Sequence, residues 1–144
     1  MSPALVLDAS VALSWAFEDE ASEYTEAALK ATSREGAVVP GLWLLEVANG
    51  LLVAERRGRL TEADTVAFLS LLRQLPIEVE PDAPDEVFSE VLALARAHGL
   101  SLYDAAYLHA AMRYALPLAT RDESLREAAR RVGVDLSLPG HHAG

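Results

Sequence analysis

Leu5-Val6-Leu7-Asp8-Ala9-Ser10 is the stretch on which the reading of this chain turns: a short apolar run that stops abruptly at a carboxylate. A run of this length, bounded by Pro3 on one side and polar residues on the other, fits a strand buried on both faces of a parallel sheet. Asp8 then stands at the carboxyl end of that strand. In open α/β sheets this edge binds ligands, because loops and helix N-termini converge there above a rigid sheet. The competing explanation is local: Asp8 or Ser10 caps a helix that begins near Val11.

Working outward, Ser10 to Glu18 reads as a short helix and Ala21 to Ser33 as a second one with an acidic outer face. Ala37-Val38-Val39 is a brief strand closed by Pro40. Leu42 to Arg57 forms a helix so apolar that most of its circumference is expected to be covered, and Gly58 ends it. Thr61 and Asp64 have the spacing of a capping box that opens a helix through Leu75. Ile77 to Glu80 alternates apolar and charged residues, as an edge strand does. Pro84 opens a helix through His98 that Gly99 stops. Ser101 to Tyr114 is the next helix, Leu116 to Thr120 a strand, Asp122 to Val132 a last helix, and Val134 to Leu136 a candidate fifth strand. Strand and helix alternating on this scale imply parallel βαβ units with right-handed crossovers. The expected fold is a three-layer α/β/α sandwich with a central parallel sheet, in one domain over residues 1–136. Ser137 to Gly144 is expected to be a loose, flexible tail, with His141 and His142 as bystanders rather than ligands.

Composition narrows the function classes. At 144 residues the chain has the length of one domain with a sizeable core. With no cysteine, disulfides and thiolate metal sites are excluded, so any metal is held by oxygen or imidazole. No apolar run approaches a membrane span and no signal-like segment opens the chain, so a cytoplasmic protein without membrane contact is expected. A formal charge of −10 argues against coating nucleic acid through the overall field. Local basic patches stay possible: Arg56, Arg57 and Arg59 form one group, and Arg121, Arg126, Arg130 and Arg131 another. Glu18, Asp19, Glu20, Glu23 and Glu26 crowd the acid excess into one early segment.

Four carboxylates call for explanation. Glu46 lies inside the most apolar helix, where an unpartnered ionised carboxylate costs several kcal/mol, so something cationic should face it. A salt bridge to an arginine is the structural alternative. Asn49 lies one turn on along the same face. Asp104 follows Ser101 at capping-box spacing, yet shares its helix face with Tyr107, Leu108 and Ala111, an apolar stripe that should point inward. Asp122 follows the strand Leu116 to Thr120 by two residues and is also a natural N-cap. Taken together, two acids follow carboxyl ends of strands and two sit near the starts of inward-facing helices, locations that a parallel sheet brings close. Four such acids cannot all stay ionised without cations, and oxygen-only ligands suit Mg2+ or Mn2+.

The motifs Val6-Leu7-Asp8-Ala9-Ser10, Leu45-Glu46-Val47-Ala48-Asn49, Tyr103-Asp104-Ala105-Ala106-Tyr107 and Thr120-Arg121-Asp122 resemble, in order and spacing, the four motifs of PIN-domain nucleases. Length and wording are similar to the VapC toxins of toxin–antitoxin pairs, and the resemblance spans Leu5 to about Leu136. It implies that Asp8, Glu46, Asp104 and Asp122 are metal-binding acids, with Ser10 and Thr120 as auxiliary polar groups. It also implies an endoribonuclease dependent on Mg2+ or Mn2+, an RNA substrate and a cognate antitoxin protein. Arg121 and Arg126 are the candidates for holding RNA phosphates against the repulsion of the acids. The leucine-rich helices Leu42 to Val53 and Thr65 to Leu75 add the expectation of a homodimer. Two other readings stand beside this one. A receiver-like or phosphoryl-transfer domain would use Asp8 as acceptor, but Lys30 is the sole lysine to pair with it. A PIN-fold binding module without chemistry would have little use for four intact acids.

Overall fold

The computed structural model describes residues 3–141. Four parallel strands, β1 (Leu5–Leu7), β2 (Ala37–Pro40), β3 (Ile77–Glu80) and β4 (Leu118–Ala119), lie in the order β3-β2-β1-β4. Helices flank the sheet in the expected three-layer arrangement. All three residues of β1 and all four of β2 are buried, which is why their sequences are unbroken apolar runs. Only β3, at the edge, alternates in character. Leu7 of β1 registers with Ala119 of β4, so the chain leaves two neighbouring strands side by side at Asp8 and Thr120.

Local signals set most helix ends. Ser22 and Thr25 close a capping box on α2 (Glu23–Glu35), and Thr61 and Asp64 close another on α4 (Glu62–Leu72). Helix α3 (Leu42–Arg56) buries Trp43, Val47, Leu51 and Ala54, one stripe at helical spacing. The expectation that most of its circumference is covered is met along that stripe alone, because Leu45 is 77% exposed and Leu44 54%. Helix α1 (Ala9–Ser14) is shorter than expected, with a separate 3-10 turn at Glu18–Glu20. It lies close on α3 because Gly50 has no Cβ where the Leu13 side chain sits. The helical stretch from Pro84 runs as α5 (Pro84–Glu86), a π turn (Val87–Val91) and α6 (Leu92–His98). Helix α7 (Leu102–Tyr114) packs on β1, β2 and β4, and α8 (Glu123–Val132) packs against α7.

Two expectations differ from the structure. Val134 to Leu136 adds no strand: Asp135 accepts one hydrogen bond from Leu118 N–H at 2.9 Å, and no ladder follows. The segment from Ser137, expected to be loose, sends Leu138 into the core beside Leu136, the two being 3% and 5% exposed. Leu138 and His141 also exchange backbone hydrogen bonds of 2.8 Å, and the His141 ring packs edge-on against Tyr24. The apolar gain of one buried leucine and a closed turn account for that order. His142 lies outside the described residues.

Candidate active site

The site is built where β1 and β4 end. Asp8 occupies the N-cap position of α1, but its side chain makes no capping bond. Its carboxylate accepts instead from Thr120 Oγ1 at 2.6 Å and Ser10 Oγ at 2.9 Å, both on Oδ2. Asp8 is 6% exposed. Burial raises its pKa, the two hydroxyl bonds offset part of that rise, and the charge of Asp122 adds to it.

Glu46 comes from the second turn of α3 and is half-buried. Among the described residues no arginine pairs with it. Its Oε1 accepts from the Tyr107 hydroxyl at 2.6 Å, so the partner of this glutamate is a neutral phenol. Burial raises the Glu46 pKa, the Tyr107 bond lowers it in part, and Asp8 and Asp104 raise it further. Asp104, in the first turn of α7, is half-buried as well. The Ser101 hydroxyl caps α7 by accepting from the Asp104 N–H at 3.1 Å, and the same hydroxyl lowers the Asp104 pKa in part. Burial, then Asp122, then Asp8 raise its pKa. Glu46 therefore feels Asp8 and Asp104, Asp104 feels Asp122 and Asp8, and Asp8 feels Asp122.

Asp122 behaves differently. It is exposed and caps α8, accepting from Leu125 N–H at 2.9 Å and from Ser124 Oγ at 2.6 Å. Those bonds hold its pKa below the ordinary carboxylate value. The capping explanation and a place beside the other acids are both true of this residue. Asn49 is exposed on α3, with no side-chain hydrogen bond among the described residues.

Among the described residues, no ion pair reaches Asp8, Glu46, Asp104 or Asp122. The arginines nearest in sequence are committed elsewhere. Arg121 pairs with Glu20 at 2.8 Å, while its N–H donates to Ser10 Oγ at 3.3 Å. Arg126 donates to Thr120 O at 3.1 Å and lies 5.2 Å from the centre of the Tyr24 ring. Glu20 also pairs with Arg59, which Asp19 holds and which stacks 4.0 Å from the Phe17 ring centre. The early acidic segment and one residue from each arginine group thus form one network at the rim. Lys30 is exposed on α2 and makes no ion pair with Asp8. Among the described residues, the group of three possible ligands whose donor atoms all lie within 4.8 Å of one another is Glu86, Glu90 and His109, none of them one of the four acids. Those four are linked by charge, but no three of them come that close. The acids of the closer group are already paired, Glu86 with Arg113 at 2.6 Å and Glu90 with His109 at 2.8 Å.

Oxygen donors coupled by charge, with no ion pair among the described residues to neutralise them, fit a hard divalent ion. Two tyrosines escaped the sequence reading. Tyr107 appears there as part of an apolar stripe, although a buried phenol must find partners and so signals a polar contact. Tyr24, whose hydroxyl accepts from Thr120 N–H at 3.1 Å, braces the end of β4, and nothing local in the sequence announces it.

A parallel sheet in this order, with an acid cluster at its carboxyl edge, is the setting in which family membership becomes informative. The PIN domain family model matches residues 5–131, and the chain belongs to that family. It is 33% identical to ribonuclease VapC3 of Pyrobaculum aerophilum over 123 residues, covering 85% of this chain and 92% of that protein. The crystal structure of PAE2754 from the same organism is similar with a TM-score of 0.68 at 28% identity, covering 89% of this chain and 87% of that one.

Proposed function

We propose that this protein is an endoribonuclease dependent on Mg2+ or Mn2+ that acts as the toxin of a VapBC-type toxin–antitoxin pair. The observation that carries the reading is the convergence of Asp8, Glu46 and Asp104, with raised pKa values and no cation of the protein's own, at the carboxyl edge of the sheet. The relationship to ribonuclease VapC3 supports the choice of RNA and of a toxin. Asp8 and Asp104 are the central metal ligands in this reading, Asp122 completes the set, and Glu46 is a further ligand or the base that orients water. When bound, such an ion supplies charge neutralisation at a phosphodiester and acidifies a water for in-line attack.

The protein's own side chains do the positioning. Thr120 and Ser10 fix the Asp8 carboxylate through one oxygen, leaving Oδ1 for the site. Asn49 is an auxiliary polar group on the exposed side of α3. Arg121 at the rim holds flanking phosphates, and Arg126, tied to Tyr24 and Thr120, has the smaller part. Leu44, Leu45 and Leu52 of α3 and Val66 and Leu71 of α4 are exposed. In our reading they serve homodimerisation and the seating of an antitoxin helix. No helix among the described residues is long and apolar enough to cross a membrane.

The experiment is cleavage of RNA by the purified chain with Mg2+ or Mn2+, and its loss on adding a chelator. Cleavage that persists in excess chelator defeats the metal-dependent mechanism, and absence of any cleavage defeats the enzyme. The toxin is tested separately: the chain expressed alone should arrest growth, and the product of an adjacent small reading frame should restore it.

A further inference from the structure

Among the described residues Tyr107 is the largest wholly buried side chain, and the chemistry above makes no use of its hydroxyl. Ala105, Leu108 and Ala111, its buried neighbours on α7, are apolar, and a phenylalanine would fill the same space. The hydroxyl nevertheless has two partners drawn from distant parts of the chain. It donates to Glu46 Oε1 at 2.6 Å and accepts from the Ala9 N–H at 3.4 Å. Ala9 directly follows Asp8, and Tyr107 lies one turn beyond Asp104 on the same helix. A single oxygen atom therefore links the segments that carry Asp8, Glu46 and Asp104. Among the described residues, Glu46 Oε2 has no hydrogen-bond partner, so this bond is the one that fixes the glutamate's orientation.

We propose that Tyr107 is a positioning residue that holds Glu46 in the orientation in which the acid cluster takes up a divalent cation. This rests on the metal-dependent reading above. An unrestrained glutamate loses rotamer freedom when it joins an ion, whereas one already held by a buried phenol does not. Groups that orient metal ligands in this way change affinity by about 10- to 100-fold when removed.

The test measures binding of Mn2+ alone by calorimetry to the full chain: wild type, Tyr107→Phe, Glu46→Ala and the double variant. Tyr107→Phe should bind Mn2+ about tenfold more weakly. In the Glu46→Ala background the same change should matter less than about twofold, because the hydroxyl acts through Glu46. With RNA, kcat should fall while KM stays within about twofold. Unchanged Mn2+ affinity in Tyr107→Phe overturns the proposal, as does a loss of equal size with and without Glu46, which is the signature of general packing. Should Tyr107→Phe fail to fold, Mg2+ titration followed by NMR decides: the Tyr107 ring signals should shift in wild type and not in Glu46→Ala, and no shift in wild type overturns the role. A wild-type chain that binds no Mn2+ overturns the metal reading itself.

Discussion

The inner wall of the site and its outer rim treat carboxylates in opposite ways. On the wall, Asp8, Glu46 and Asp104 are wholly or partly buried, meet only hydroxyl or backbone groups among the described residues and have raised pKa values, from burial first and neighbouring acids second. At the rim, Asp122 and Glu20 have lowered pKa values. Asp122 is held by the cap of α8, and at Glu20 the bonds from Arg121 and Arg59 outweigh the effect of burial. The rim is satisfied as it stands, whereas the wall acids have raised pKa values and no ion pair among the described residues. Ion pairs and caps stabilise the fold, and under the proposed function the unpaired wall acids, with Asp122, take up the cation.

The sharpest way to break this contrast is substitution on the wall. Asp8→Asn and Asp104→Asn should each lower RNA cleavage by at least about a hundredfold. The metal-free melting temperature should stay level or rise, by up to about 2 kcal/mol in stability, because each change removes one repelling charge. Differential scanning calorimetry in chelator checks this, and a clear loss of stability would make these residues structural caps like Asp122. The rim acid should give the opposite stability result. Asp122→Ala should cost about 1 kcal/mol through the lost N-cap, in addition to lowering activity by about tenfold.

Acidity sharpens the contrast further. Acids whose folded pKa is raised bind more protons folded than unfolded, so their contribution to stability falls as pH rises through the window between the ordinary and the raised values. The ordinary values are 3.8 for Asp8 and Asp104 and 4.5 for Glu46. The metal-free chain should therefore gain stability from the wall on acidification from neutral pH, until the pH falls to the ordinary values. Asp122 and Glu20, with lowered values, lose their contributions only at lower pH, below the ordinary carboxylate range. Melting curves across that span should show the gain in wild type and a smaller one in Asp8→Asn. Saturating Mn2+ should reverse the slope, since cation binding competes with protons.

The smallest expected effects are at the rim arginines. Arg121→Ala should raise KM for RNA about two- to fivefold and lessen the salt dependence of binding by about 0.7 in log–log slope, the value for one single-strand phosphate contact. Arg126→Ala should cost about 1 kcal/mol of stability through the lost Tyr24 contact and change KM less than Arg121→Ala does. An Arg126→Ala variant that loses more RNA affinity than Arg121→Ala would reverse the roles assigned to the two.

Features that depend on neighbours along the chain were legible in advance. The buried runs at Leu5 and Ala37, the edge alternation at Ile77, the capping box at Thr61 and the stop at Gly99 are local signals, and the structure follows them. The positions of the four acids were legible for a related reason: in a parallel sheet every strand points the same way, so residues after strands and at helix starts are brought toward one edge. Other features needed the third dimension. The partner of Glu46 is Tyr107, 61 residues away, and no periodicity distinguishes a core tyrosine from one whose hydroxyl is engaged. The sequence also could not assign Arg121 to Glu20, Arg126 to Tyr24, or Leu138 to the core. By itself, then, the sequence determined the order of strands and helices and the residue types at the sheet edge, because propensity, capping and hydrophobic pattern act over a few residues. Only the tertiary structure decided which carboxylates are left without a cation and which hydroxyls hold them, because burial and long-range hydrogen bonds arise from segments that meet only when the sheet is formed.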